Sequence, residues 1–138
     1  MLDIFAQYAT DESLELNGSW RSLGGDAEIL VARNLNPRYS SLLSKLYAQN
    51  QQTLDLNAAD GTEHPDALAK SEELMVEVIA KTILLGWKNL AYKGQPLEYS
   101  EANAKMLLKH RDFRRLVVEK STEVDAYRVK QEEEQGKG

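Results

Sequence analysis

The sequence contains no cysteine and only two histidines among its 138 residues. The absence of cysteine excludes a disulfide framework, a thiolate metal site and a cysteine nucleophile, and it suits a reducing compartment. His64 and His110 do not form the His-x-x-x-His spacing of a helical zinc site. We therefore predict no metal and no cofactor, and we expect both histidines to be solvated or locally hydrogen-bonded.

Long apolar runs are also absent from the sequence. The most apolar stretch, residues 74–87, carries Glu77 and Lys81 and is shorter than the roughly 20 apolar residues that a membrane-spanning helix needs. The N-terminus lacks the basic segment and apolar run of a signal peptide. We expect a cytoplasmic protein that does not bind membranes.

Basic residues are in the minority, with 17 Lys and Arg against 22 Asp and Glu and a net charge of −5. Such a surface repels a phosphate backbone unless the basic residues gather on one face. The strongest basic group is Arg111, Arg114 and Arg115. This group could be the binding surface of a small nucleic-acid-binding regulator, which is the alternative function. We favour a solvated helix face, and nucleic acid is not an expected partner.

Known catalytic and phosphate-binding motifs are absent as well. The Gly24-Gly25 pair lacks both the Gly-x-Gly-x-x-Gly spacing and the Gly-Lys-Ser/Thr sequence of a phosphate-binding loop. The acidic residues fall on predicted solvent faces or in the tail, where a carboxylate is usually just solvated. We predict no catalytic residues and a protein that is not an enzyme.

The patterns that are present predict an α+β fold, mainly α, in a single domain over residues 1–130. A Gly-Gly pair between apolar runs predicts a β-hairpin at residues 18–33, preceded by residues 1–17 as a frayed arm or a short helix. About four packed helices follow. Residues 53–65 are expected to be a flexible loop, and residues 131–138 a disordered acidic tail.

Each helix is predicted from a cap and an apolar stripe. Asn36-Pro37 begins the first, and Tyr39, Leu42, Leu43, Leu46 and Tyr47 share one of its faces. The central helix is expected from Pro65 to about Leu85, closed by Gly86, before a loop that runs from Trp87 to Tyr99. Ser100 caps a helix over 101–109, and a last helix from about Asp112 carries Phe113, Leu116, Val117, Val124 and Tyr127.

Aromatic and apolar residues concentrate in the predicted loop. Residues of this kind are enriched at protein interfaces because they bury much area at a small cost in entropy. The alternative is that they pack over the end of the central helix. The candidate protein-binding residues are Trp87, Leu90, Tyr92, Pro96 and Tyr99.

Three stretches over roughly residues 15–125 follow one another in a recognisable order. They are Gly18-Ser19-Trp20 with residues 28–33 and Asn36-Pro37-Arg38-Tyr39; Leu85-Gly86-Trp87-Lys88-Asn89-Leu90; and residues 94–104 with Leu107-Leu108. Together they resemble the tail assembly chaperones of long-tailed, siphovirus-like bacteriophages. That family shows a tryptophan strand, an apolar strand ending in arginine, an Asn-Pro helix start, and a tryptophan followed by a loop and a helix.

The resemblance implies a non-enzymatic factor of the host cell cytoplasm. Members of that family bind the tape measure protein and recruit tail tube subunits while the tail is built, and they are absent from the mature virion. A programmed ribosomal frameshift often gives a longer second product. The resemblance leaves open whether the chain self-associates into a dimer or a ring.

Overall fold

The computed structural model describes residues 1–55 and 64–129. These residues form an α+β structure in which strands precede most of the helices, as predicted. The strands are β1 (Ser19–Gly24), β2 (Ala27–Val31), β3 (Leu84–Lys88), β4 (Ala91–Tyr92) and β5 (Gln95–Pro96). The helices are α1 (Ile4–Tyr8), α2 (Glu12–Asn17), α3 (Pro37–Gln49), α4 (Gln51–Leu54), α5 (Pro65–Thr82), α6 (Glu101–Leu108), α7 (Arg111–Ser121) and a 3-10 turn (Val124–Tyr127).

The N-terminal hairpin is confirmed. Strands β1 and β2 pair antiparallel, and the chain reverses at Gly25, whose φ of +57° is a conformation that glycine adopts without strain. Trp20 of β1 lies opposite Leu30 of β2 on the outer face of the sheet. The ammonium of Lys88 lies 4.1 Å from the centre of the Trp20 ring. The sheet therefore keeps an aromatic side chain covered by a lysine on its solvent side.

A third strand replaces the predicted end of the central helix. Helix α5 stops at Thr82, and the chain continues as β3, which pairs antiparallel with β2. Gly86 was predicted to close the central helix, but it lies in β3 opposite Leu30. The sequence-based boundary was wrong because a short, uniformly apolar run is compatible with both a buried helix and a buried strand.

The predicted loop from Trp87 to Tyr99 is only partly irregular. Trp87 belongs to β3, and β4 pairs with β5 in a second, small hairpin. Its turn is Lys93-Gly94, with φ angles of +52° and +80°. Positive φ at both central residues is the arrangement of a type I′ turn, which matches the twist of the flanking strands. As predicted, the helix does not continue through residues 87–99, but the segment contains two short strands that the prediction of a loop did not include.

Helix α5 is the centre of the core, as predicted. Its buried side chains include Leu74, Val78 and Ile79, and they pack with Ile29 and Val31 from the sheet. Helices α3, α6 and α7 contribute further residues to the same cluster, including Tyr39, Leu46, Leu107, Leu108 and Val117. No helix within residues 1–55 and 64–129 is long and apolar enough to cross a membrane.

Asn36 joins the start of α3 to the end of α5. Its side-chain oxygen accepts from the Tyr39 amide at 3.0 Å, and its Nδ2 donates to the carbonyls of Arg33 at 2.8 Å and Thr82 at 3.2 Å. The residue is 4% exposed. One side chain thus satisfies a helix N-terminus and a helix C-terminus at once.

Replacing Asn36 should therefore cost more than an ordinary helix cap. We expect Asn36→Ala to lower the free energy of unfolding by about 2–3 kcal/mol, because a cap and two buried carbonyl contacts disappear together. Asn36→Ser keeps a capping oxygen but cannot reach Thr82, so it should recover about 1 kcal/mol. Urea unfolding measures the free energy of unfolding of both variants. Equal stabilities would contradict the role of Asn36 as a link between the two helix ends.

The two ends of the described chain meet. Residues 1–17, which the sequence left open between an arm and a helix, form α1 and α2, with Asp3 and Asp11 as side-chain caps. The Asp11 amide donates to the Tyr127 carbonyl at 2.7 Å, and the Val129 amide donates to the Ala9 carbonyl at 3.2 Å. Thr10 forms an isolated antiparallel bridge with Arg128.

Other boundaries differ from the prediction by small amounts. Helix α7 begins at Arg111 and ends at Ser121, so Val124 and Tyr127 lie in a separate 3-10 turn and not on the last helix. Thr53 and Leu54, predicted as the start of a loop, belong to α4. The rest of that predicted loop, residues 56–63, and the predicted tail at 131–138 lie outside the described residues.

Candidate functional site

Two of the predicted contact residues are used for internal packing. Trp87 is 7% exposed, and its indole Nε1 donates to the Leu97 carbonyl at 2.7 Å. The Tyr99 ring meets the Trp87 ring edge-on, with centroids 4.9 Å apart. The Tyr99 hydroxyl donates to the Leu84 carbonyl at 2.9 Å. This pair attaches the segment after β5 to strand β3.

The other three predicted residues lie on the small β4–β5 hairpin and beside it. Leu90 and Tyr92 are half-buried and pack against the core, whereas Pro96 is exposed. The Tyr92 hydroxyl lies 2.9 Å from His110 Nε2, and the two rings are tilted at 5.7 Å. The hairpin is therefore held against the junction between α6 and α7. A direct contact between these residues and a partner stays a prediction.

A groove between two helices was not predicted as a site. Helices α5 and α7 line an open cavity of about 670 Å³. Its apolar lining comes from three residues of α5 and one of α7: Leu68, Met75, Ile79 and Val118. Leu68 is 44% exposed, and Met75 and Val118 are partly buried against the core. We call this cavity the α5–α7 groove.

Charged side chains surround the α5–α7 groove. Arg111, Arg114, Arg115 and Glu119 line it from α7, and Glu72 and Ser71 line it from α5. Arg114 Nη2 lies 3.2 Å from Glu72 Oε1, and Arg114 Nη1 donates to the Leu108 carbonyl at 3.0 Å. Arg114 therefore connects the two walls. The guanidinium groups of Arg111 and Arg115 form no ion pair with the described residues, and both side chains are exposed.

The sequence signals for this groove were present but divided between two interpretations. Leu68, Met75 and Ile79 recur at helical spacing, a pattern that predicts the core-facing stripe of the central helix. The three arginines were assigned to a solvated face. Nothing in a single sequence indicates that the end of that stripe stays open or that the arginines border it, since α5 and α7 are separated by the β3–β5 segment and α6.

Three tyrosines have raised pKa values, and in each case the main cause is burial in the fold. Burial raises the pKa of Tyr127 to about 12, with Arg21 and Arg33 opposing and Glu123 adding to the rise. Burial also raises the pKa of Tyr39, with a smaller contribution from Tyr47, and of Tyr99, with one from Glu101. These three tyrosines are outside the lining of the groove. Within residues 1–55 and 64–129, no three His, Asp or Glu side chains are grouped to hold a metal ion.

An α+β fold with an arginine-rimmed groove does not by itself identify the protein. Comparison with known families supplies the origin. The family model described as YdaY prophage protein matches residues 35–137, which is 103 of 138 residues. The chain belongs to this family of prophage proteins. No curated protein and no solved structure matches it. The matched range contains both walls of the α5–α7 groove, and it excludes α1, α2 and the first hairpin.

Proposed function

We propose that this prophage protein is a tail assembly chaperone that binds the tape measure protein and recruits tail tube subunits in the host cell cytoplasm. The α5–α7 groove is the surface that we assign to the client. The observation that carries the proposal is an open, apolar groove between two helices with exposed arginines on its rim. The prophage origin of the family and the resemblance of residues 15–125 to tail assembly chaperones support the assignment.

The chemistry of the groove indicates the kind of client segment. A groove between two helices accepts the apolar face of a third helix, in which side chains at i, i+3, i+4 and i+7 act as anchors. Leu68, Met75 and Val118 supply the apolar contact area. Arg111 and Arg115 favour acidic side chains beside the apolar stripe of the client. An amphipathic, acidic-flanked helix of a tape measure protein has this chemistry.

In this proposal the protein acts by binding and catalyses no reaction. The closest opposite charges in the groove are those of Arg114 and Glu72, and they form an ion pair between the two helices. Helix α5 is capped without drawing on the groove residues, since His64 Nδ1 accepts from the Asp66 amide at its start. The arrangement is that of a preformed docking surface.

Nucleic-acid binding is the second candidate function, and the exposed guanidinium groups of Arg111 and Arg115 favour it. Against it, Glu72 pairs with Arg114, Glu119 lies in the same groove, and the chain carries a net charge of −5. A phosphate-binding surface would give duplex binding that weakens steeply with salt. A gel shift at low and moderate salt separates this candidate from the chaperone.

Groove variants test the proposed function. We expect Leu68→Glu combined with Arg115→Glu to reduce capture of tape measure fragments about 10–100-fold, because an apolar anchor site and a charge contact are lost together. Both side chains are exposed enough for the fold to persist. Co-expression of the chain with overlapping tape measure fragments from the same prophage, followed by a quantitative pull-down, measures the effect.

Lys45→Glu is the matched control, because it reverses a charge at an exposed position of α3 away from the groove. Its capture should equal that of the wild type. Pro96→Asp tests the predicted aromatic segment, since Pro96 belongs to that set and is exposed. If Pro96→Asp weakens capture and the groove variant does not, the client binds the β4–β5 hairpin. Failure of the wild-type chain to bind any tape measure fragment would reject the chaperone function.

A further inference from the structure

The N-terminal arm, residues 1–9, presents apolar side chains that the described part of the chain does not cover. Leu2 is 66% exposed, Ile4 60%, Phe5 72% and Tyr8 58%. Tyr8 lies beside both Ile4 and Phe5 on α1, because it follows them by four and three residues, and side chains at these spacings are neighbours on a helix. An apolar helical face of this size on a soluble protein indicates a contact with another molecule.

The arm is preformed and fixed at its base. The Asp3 carboxylate accepts from the amides of Phe5 at 3.0 Å and Ala6 at 3.3 Å, so α1 has a side-chain cap. Immediately after it, Ala9 and Asp11 bond to the backbone of residues 127–129. The apolar face of α1 therefore projects from a defined point. Ordering it on a partner costs less entropy than ordering a free chain end.

The acidic residues that flank α1 complement the exposed arginines of the α5–α7 groove. Asp3 precedes α1, Asp11 and Glu12 follow it, and residues 1–20 contain no lysine or arginine. The groove offers exposed Arg111 and Arg115 beside its apolar floor. An apolar helix flanked by carboxylates and an arginine-rimmed apolar groove are complementary in both respects.

We propose that the α5–α7 groove of one molecule binds the N-terminal arm of a second copy. No arm residue lines the groove of its own chain. Because the arm and the groove are different surfaces, each copy donates one arm and receives another. A contact of this heterologous kind builds closed rings or open chains, and it does not stop at a symmetric dimer.

The arm contact would also regulate access to the groove, and this second step rests on the proposed function. An arm seated between α5 and α7 occupies the place of the client helix, so self-association and client capture compete. The contact between a nine-residue arm and the groove is at the lower end of the size range of specific interfaces. We therefore expect a dissociation constant of about 10–100 µM. A client that binds more tightly would release the arm.

Complementation between two defective variants tests the contact. The arm variant combines Ile4→Ser and Phe5→Ser, both at exposed positions, and the groove variant combines Leu68→Glu and Arg115→Glu. Sedimentation velocity over a concentration series should show growing oligomers for the wild type and for the Lys45→Glu control. Each variant alone should remain monomeric. An equimolar mixture should form a dimer and nothing larger, because it contains one intact groove and one intact arm per pair.

Each other outcome would overturn the proposal. A wild type that is monomeric at all concentrations excludes it. A groove variant that oligomerises like the wild type shows an arm-to-arm contact instead, and variants that fail to complement exclude the pairing of arm with groove. The proposed function is measured separately, since the monomeric arm variant keeps its groove and should capture tape measure fragments at least as well as the wild type. Circular dichroism checks that each variant folds.

Discussion

Val78→Asp should leave the protein unfolded under conditions in which the wild type is stable. Val78 is 0% exposed and lies in the C-terminal part of α5, where that helix packs against the sheet. A carboxylate at this position has no partner in the apolar cluster, so it must be buried unpaired or protonated. We expect a loss of about 5 kcal/mol or more, which is comparable with the total stability of a small domain.

The measurement is the helical circular dichroism signal at ordinary temperature, together with thermal unfolding. Ala69→Asp is the matched control because Ala69 is exposed on the same helix and the new side chain is identical. It should cost less than about 1 kcal/mol, mainly through helix propensity. If Val78→Asp unfolds cooperatively at the temperature of the control, α5 does not occupy the centre of the core.

Tyr127→Ala is expected to have the second largest effect on stability. The Tyr127 side chain is 0% exposed, and its hydroxyl donates to the Val31 carbonyl at 2.9 Å. Truncation removes a large buried ring and a hydrogen bond, so the free energy of unfolding should fall by about 3–5 kcal/mol. Tyr127→Phe keeps the ring and should cost only about 1–2 kcal/mol. Urea unfolding at neutral pH distinguishes the two.

The pH dependence of the same pair checks the role of the hydroxyl. Burial raises the pKa of Tyr127 from 10.0 to about 12, so the folded state holds its proton more tightly than the unfolded state. The contribution of the protonated Tyr127 hydroxyl to the free energy of unfolding is complete below pH 10. It is lost as the pH rises towards 12, because the unfolded chain releases the proton first. The stability difference between the wild type and Tyr127→Phe should therefore narrow over that range. A constant difference would show that Tyr127 is not the titrating group.

Elements with local signals could be predicted from the sequence. Gly24-Gly25 between apolar runs gave the first hairpin, and Asn36-Pro37 and Ser100 gave the starts of α3 and α6, where both side chains do accept backbone amides. In each case the residues that decide the structure are within a few positions of one another. A cap or a tight turn depends on nothing that lies elsewhere in the chain.

Features that depend on distant residues could not be predicted in the same way. The run at residues 83–87 is apolar enough for a helix or a strand, and β2, which decides between them, is more than 50 positions earlier. Tyr127 was placed on a helical stripe, but its position is set by the Val31 carbonyl and by the pairing of residues 127–129 with the N-terminal segment. The groove is of the same kind, since it exists only where α5 and α7 meet.

The pairing of Ala9, Thr10 and Asp11 with residues 127–129 has a consequence for biosynthesis. The segment that leaves the ribosome first obtains its hydrogen-bond partners from nearly the last described residues to be translated. Until those residues have emerged, the base of α1 has no backbone partner, while the first hairpin and α3 already have local contacts. The arm therefore reaches its final position only after the nascent chain has been synthesised through Val129.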